Sequence, residues 1–453
     1  MKKISVFLFI LCLGIQLQYA NAQEGNLSRS QNLNVRSNQS LQQVNSQADP
    51  LHRLQNAILT VTINDNISPV VASRIFVYPN IAFLNGISEG KQIPIELRVS
   101  AETIHPSSLT ATYAFVFVAQ SMIYTRNIFD DSVQNILKWY DQFNFSETQK
   151  KNAEKDGRTI ANLVIEKMKQ DGFRETRAMA KYEEIHEEHT WRPTAPGYFQ
   201  AVEPNWGKIK PIVVKNFHFP EVHSVQYDTA KKSLLFKEAL EVYQLSKIGA
   251  KEQKAIAGFW DCNPFALHVY GHRMEAEKKM SPVGHWMCIA QKIIKQKDLD
   301  VAAASKVYAT LSAGMFDALI YCWEMKYRFK FIRPEHFITT YIDPEWEPLL
   351  QSPPFPEFPS GHSVISATAA VLLTNAFGTM EYVDDTEINF GIEPRKFKSF
   401  FEAADEAAIS RVYGGIHFRH AATEGKKIGM QIGEYFLERV NQNSVALKKI
   451  NPK

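Results

Sequence analysis

The sequence predicts an all-α protein built from two packed helical bundles, and three observations carry that prediction. Apolar residues recur with helical period in a succession of segments, and no stretch alternates with period two for long enough to make a sheet. With 453 residues, the chain is long enough for two packed units around a large core.

Taken in order, the first 22 residues hold two lysines, an apolar run from Ile4 to Leu17 and small residues at Ala20 and Ala22. That tripartite pattern predicts an export signal cleaved after Ala22. Phe9, Ile10 and Leu11 before Cys12 lack the small residues of a lipidation site. Residues 23–50 are Asn, Gln and Ser with scattered charge, too poor in apolar side chains to order themselves, and are expected to form a tether. An N-terminal helical domain with long loops is expected over 51–298, a catalytic helical domain over 299–441, and a tail over 442–453.

Ser68-Pro69 is a helix start, with proline at the first helical position. Helical periodicity returns in LTATYAFVFVAQSMIYT, between Ser146 and Gln170, and in TAKKSLLFKEALEVYQLS. Between Glu188 and Pro220 a proline-rich, aromatic segment replaces helix, and Trp260 to Trp286 is a second interruption. Long ordered loops of this kind are candidates for the rim of a site. From Leu299 to Phe331 a long helix follows. Past the signal, no apolar run approaches the roughly 20 residues of a membrane span, so the mature chain is expected to be soluble and exported.

The net charge of +3 is small and the basic residues are interspersed with acidic ones. That pattern speaks against nucleic acid or an anionic membrane as partner, so any anion selectivity must be local. Cys262, Cys288 and Cys322 lie at irregular spacings without a CxxC pair. They are expected to be buried hydrophobes, or one disulfide and one free thiol, without a functional role.

Three separated pieces supply what an oxyanion needs: fixed cations, a hydroxyl, open backbone N–H groups and two imidazoles. The first is Lys326 with Arg333-Pro334. On a continuous helix, residues seven apart leave from one face, and Pro334 then ends the regular hydrogen bonding. The second, Pro359-Ser360-Gly361-His362, opens an alanine-rich apolar helix after a run with four prolines. A helix N-terminus points free N–H groups at whatever sits there; Gly361 allows close approach and Ser360 adds a hydroxyl. The third places Ser410-Arg411 and His417 around Gly414-Gly415, a break that can swing His417 back toward Arg411.

The pattern KxxxxxxRP, PSGH and SRxxxGxH resembles the vanadium-dependent haloperoxidases and their relatives, the type 2 phosphatidic acid phosphatases and class A bacterial acid phosphatases. The long helical lead-in, the WGKIKPIVV segment and Gly284-His285-Trp286 resemble the soluble haloperoxidase branch. The resemblance implies the helical fold of that family, with the site in the C-terminal bundle. It further implies that His417 bonds vanadium, or attacks phosphorus in a phosphatase; that Lys326, Arg333, Arg411, Ser360 and the Gly361 N–H hold the equatorial oxygens; and that His362 is the acid–base histidine. Vanadate would be the cofactor, with phosphate competing for the same site. Hydrogen peroxide and halide would then be the substrates, with Lys326 polarising the activated oxygen and His362 moving protons.

The family pattern continues as HxxxD, and here that position is Ala421. Glu424, two helical turns after His417, or His420 would have to replace the orienting aspartate. Phe355, five residues before Ser360, is aromatic as in the chloroperoxidases. The expected function is therefore a vanadate-dependent haloperoxidase. A secreted phosphomonoesterase working through a phosphohistidine is the first alternative, since vanadate and the phosphoryl transition state share shape and charge. A non-catalytic oxyanion-binding surface protein is the second, against which the retention of both His362 and His417 argues.

Overall fold

The computed structural model describes residues 47–88, 93–99, 104–217 and 222–450. The expected export signal lies outside the described residues, as does all but the last part of the expected tether. Helix α1 (Asp49–Asn64) already begins within that last part, its apolar face turned inward by Leu51, Leu54, Ile58 and Val61.

Helix α2 (Pro69–Ile87) starts as its sequence dictates: the Ser68 hydroxyl accepts the Val71 N–H and Pro69 stands at the first helical position. Its 19 residues are long and apolar enough to cross a membrane, contrary to the expectation that no run approaches that length, and most of that stretch is buried inside the protein. The residues that bury it come from α3 (Ser108–Gln120), α5 (Glu147–Lys169) and α9 (Val301–Phe329). Between α3 and α5 runs α4 (Arg126–Trp139), which packs on α1. At the start of α5, Ser146 and Gln149 close a reciprocal capping box.

Helices α6 (Leu234–Ile248), α7 (Lys251–Phe259) and α8 (Pro282–Gln296) lead to α9, the spine of the molecule. Over its 29 residues α9 packs against α2 on one side and against α11 (Gly361–Phe377) on the other, so one continuous core serves both bundles. The C-terminal bundle is completed by α10 (Pro334–Tyr341), α12 (Phe400–Tyr413) and α13 (Arg419–Ile450), which runs beyond the expected boundary at residue 441. Gly425 and Gly429 let α13 lie tightly on α11: a Cβ at Gly429 would stand 2.2 Å from the Val364 carbonyl, and one at Gly425 would stand 2.9 Å from that of Ser360.

Two antiparallel hairpins interrupt the helices. β1 (Leu267–Tyr270) pairs with β2 (Arg273–Ala276), and β3 (Tyr382–Asp384) pairs with β4 (Arg395–Phe397). The proline-rich segment after Glu188 is tied to the spine instead of forming a sheet. Asp317, fully buried on α9, accepts the N–H groups of Ile212, Val213 and Val214 at 2.7, 2.8 and 2.8 Å. Burial raises that carboxyl to about 6 while the three donors oppose the rise. Nearby, the Val202 carbonyl accepts from Trp323 Nε1 and the Tyr327 hydroxyl, and the Val202 N–H donates to Pro354.

Candidate oxyanion site

Lys326 and Arg333 do not share a helix. The spine ends at Phe329, where Lys330 takes a left-handed conformation (φ +51°) and its N–H closes on the Lys326 carbonyl. Arg333 is the N-cap of α10, and Pro334 begins that helix instead of ending one. What brings the two cations together is the main chain of residues 355–357. Lys326 Nζ donates to the Pro356 and Glu357 carbonyls at 2.8 and 3.0 Å. Arg333 Nε and Nη2 both donate to the Phe355 carbonyl, at 3.1 and 2.9 Å, and Nη1 donates to that of Ile416 at 2.8 Å. The Phe355 ring lies 5.1 Å from Lys326 Nζ and 5.2 Å from Arg333 Cζ. Both side chains are wholly buried. Loss of water brings the Lys326 ammonium down to about 7 and the Arg333 guanidinium to about 10.

Ser360 caps α11, its hydroxyl accepting the Ser363 N–H at 3.4 Å, and its own N–H donates to the Ala421 carbonyl at 3.1 Å. Position 421 therefore seats Ser360 through its backbone. Gly361 follows at the helix start; a Cβ there would stand 3.7 Å from Trp323 and 4.0 Å from Lys326 Cε. Next comes His362, whose Nε2 is buried without a partner. Burial, Arg411 and His285 hold its pKa well below the usual range, so the ring is neutral.

Arg411 occupies the last turn of α12, with Nε on the Ser410 hydroxyl at 3.0 Å and Nη2 on the Ala257 carbonyl at 3.2 Å. Its Nη1 is buried and has no partner. Gly415 then turns left-handed (φ +80°) with Pro348 filling the space where a Cβ would be, and the chain returns as Ile416 and His417.

At His417 two contacts fix the tautomer. Arg333 Nη1 lies 3.0 Å from Nε2, and because a guanidinium only donates, Nε2 carries the lone pair. The proton sits on Nδ1, which donates to Glu357 Oε1 at 2.8 Å; the same oxygen accepts the Phe418 N–H at 3.0 Å. Burial, then Arg333, Lys326 and Arg411, hold the His417 pKa well below the usual range, while burial pushes the Glu357 carboxyl up to about 8 against the pull of Arg333 and Lys326. The result is a neutral imidazole whose bare nitrogen faces cations.

Glu357 is thus the carboxylate that orients His417, and neither Glu424 nor His420 takes that part. Glu424 pairs with Lys427 at 2.6 Å, one helical turn further along α13, and His420 Nε2 contacts the His223 carbonyl at 2.9 Å while its ring stacks on Phe358. Glu357 stands 60 residues before its histidine. The one signal for it in the sequence is a single carboxylate inside the proline run that leads to Ser360.

Gly361, His362, Arg411 and His417 line one pocket, with Trp323 and Phe355 among its apolar walls. Lys326 and Arg333 reach this group through Gly361 and His417. Of the two long loops, the second supplies wall, through Cys262, Asn263, Pro264 and Phe265, whereas none of the first loop's described residues lines the pocket, and that loop instead pins the spine. All three described cysteines are free, so the alternative of one disulfide falls. Three buried cations, a helix N-terminus and the partnerless Arg411 donor suit a tetrahedral or trigonal-bipyramidal oxyanion, and the bare nitrogen of His417 could bond its central atom.

The VCPO second helical-bundle domain, as a family model, matches residues 306–444. Among solved structures, the chain is similar to a bacterial vanadium-dependent iodoperoxidase at 34% identity and a TM-score of 0.78, over 87% of this chain and 97% of that one. It also resembles the holo and apo forms of a bacterial vanadium-dependent chloroperoxidase at 16% identity and a TM-score of 0.55, over 86% of this chain and 93% and 94% of those. That second likeness is one of fold. No curated protein matches the chain.

Proposed function

This chain belongs to the vanadium-dependent haloperoxidase family, and we propose that it oxidises a halide with hydrogen peroxide at a vanadate carried by His417. The observation that carries the assignment of His417 is its bare Nε2, held by Glu357 on the other side of the ring and set among Lys326, Arg333 and Arg411. Vanadate, when bound, supplies a Lewis acid that activates peroxide toward nucleophilic attack by halide.

The remaining work falls to the chain's own residues. Arg333 Nη1, which faces His417 Nε2, and the partnerless Arg411 Nη1 would hold oxygens of the bound vanadate. Ser360 and the Gly361 N–H would add donors for that anion at the start of α11. Lys326 would supply positive charge beside the bound oxyanion. His362 is neutral with a free Nε2, so it can take a proton from peroxide and return it to the leaving oxygen. Trp323 and Phe355 keep bulk water off and favour a weakly hydrated halide, since the desolvation penalty of an anion falls with its size. Iodide is the first halide to test. The N-terminal sequence supports export, so the reaction would take place outside the cytoplasm.

The test is a vanadate titration of purified protein with peroxide and iodide or bromide. Halogenation that appears with vanadate and is suppressed by phosphate supports the proposal. Phosphate release from a generic monoester without halogenation overturns it.

A further inference from the structure

A second buried cluster, at one end of the cavity wall, has the opposite electrical character. Cys262 follows the turn after α7, His285 lies in the first turn of α8, and Glu387 follows β3. All three are buried. His285 Nδ1 is 3.4 Å from Cys262 Sγ and 3.4 Å from Glu387 Oε1, and Sγ is 3.9 Å from that same oxygen. The other ring nitrogen, Nε2, lies 2.9 Å from Asp384 Oδ2, while Asp384 Oδ1 accepts the Thr386 N–H and hydroxyl at 3.1 and 2.7 Å. The Trp260 ring stacks on the imidazole at 4.7 Å.

These separations can be compared with a tetrahedral ion. With zinc–sulfur bonds of about 2.3 Å and zinc–nitrogen and zinc–oxygen bonds of about 2.0–2.1 Å, ligand atoms stand about 3.3–3.6 Å apart. Two of the three edges already meet that range and the third needs a few tenths of an ångström. A ligating histidine normally donates its other nitrogen to a carboxylate, and Asp384 is in that place. The charge agrees. Two carboxylates and a thiol face a single imidazole, while Lys279 is paired with Asp261 and Glu277, and Lys292 with Asp385. Among the described residues no other basic side chain bonds to the cluster.

We propose that Cys262, His285 and Glu387 bind a divalent cation of borderline softness, zinc in the first instance, with Asp384 as the residue that orients the histidine. Sulfur, nitrogen and oxygen donors together select such an ion over magnesium or calcium, which take oxygen alone. Three protein ligands leave a fourth position for water. Because Cys262 also lines the oxyanion cavity, the ion would fasten the loop that forms that wall to α8 and to the turn after β3. It would also occupy the sulfur lone pairs that an oxidant made in the cavity would attack.

The proposal stands apart from the vanadate chemistry, and its test reads no turnover. Untagged full-length protein, stripped with a chelator and free of vanadate, is titrated with cobalt(II). One equivalent should bind and give the near-ultraviolet thiolate-to-metal absorption and the visible bands of a tetrahedral ion, and zinc should displace it. Cys262→Ser should remove the thiolate absorption and weaken binding by about a hundredfold or more, whereas Cys288→Ser and Cys322→Ser should keep it. Glu387→Gln should weaken binding with the absorption retained. A wild-type protein that takes up no stoichiometric ion overturns the proposal, as does a thiolate absorption that survives in Cys262→Ser. Should Cys262→Ser fail to fold, the wild-type and Glu387→Gln titrations still decide.

Discussion

Two histidines in this protein are buried and held by carboxylates, yet they are prepared for opposite ligands. His417 leans on Glu357 through Nδ1 and turns Nε2 to Arg333, with Lys326 and Arg411 close by. His285 leans on Asp384 through Nε2 and turns Nδ1 to a thiol and to Glu387. Burial first, and then the cations, depress the first ring and keep it neutral; anions lift the second well above its usual range against the opposing effect of burial. The pairing of imidazole with carboxylate does not decide what a centre binds. The sign of the charges around the free nitrogen does.

Substitutions can break that contrast, beginning with the largest effect. His417→Ala removes the bare nitrogen, and halogenation together with retained vanadate should fall by more than about a thousandfold, measured by turnover and by metal analysis after gel filtration. Arg411→Ala removes the donor without a protein partner along with the bonds to Ser410 and Ala257, so turnover should fall by about a hundredfold or more and thermal stability should fall with it. Glu357→Gln keeps an oxygen acceptor but replaces the carboxylate that holds both His417 Nδ1 and the Phe418 N–H, so His417 is oriented more loosely and vanadate affinity should drop by about ten- to a hundredfold. If it does not change, Glu357 is a packing residue and the comparison fails.

The pH dependence sharpens the contrast further. The charged form of Lys326 is present below about 7 and lost above it, and Glu357 ionises in the same range, near 8. Cys322, Arg333 and Glu357 are the groups that act on Lys326. Loss of the Lys326 proton removes positive charge from the cage, so vanadate affinity should fall by up to about tenfold per pH unit above the midpoint. A bound oxyanion moves that midpoint upward, and Lys326→Met should flatten the profile. The smallest effect belongs to Glu424→Gln, which should leave turnover within about twofold, as expected of an exposed pair with Lys427.

Much of the helical frame was legible because its signals are local. Ser68 before Pro69, and Ser146 three residues before Gln149, announce helix starts without reference to anything distant. The residue types of the cage were legible too, since Ser360, Gly361 and His362 sit next to one another, as do Ser410 and Arg411. What links the pieces was not. Glu357 meets His417 across 60 residues, and a carboxylate in a proline run has no periodicity to mark its partner. Lys326 and Arg333 were expected on one helical face, but the left-handed Lys330 separates them and carbonyls reunite them. The hairpins, with strands of four and three residues, are too short for alternation to show. Cys262 had the appearance of a buried hydrophobe because His285 and Glu387 come to it only through the fold.

The carbonyls of Phe355, Pro356, Glu357 and Ile416 grip Lys326 and Arg333 by their charged ends. A lysine on a protein surface swings out to meet an anion, and salt shields it beyond a Debye length of about 8–10 Å. Neither freedom is open to these two. Loading is therefore a problem of transport: the anion must shed its hydration, pass apolar walls and arrive at cations that do not come to meet it. Uptake and release should both be slow and nearly indifferent to ionic strength, and a seated oxyanion should outlast dialysis by kinetics alone. Desolvation governs in this interior what salt governs outside.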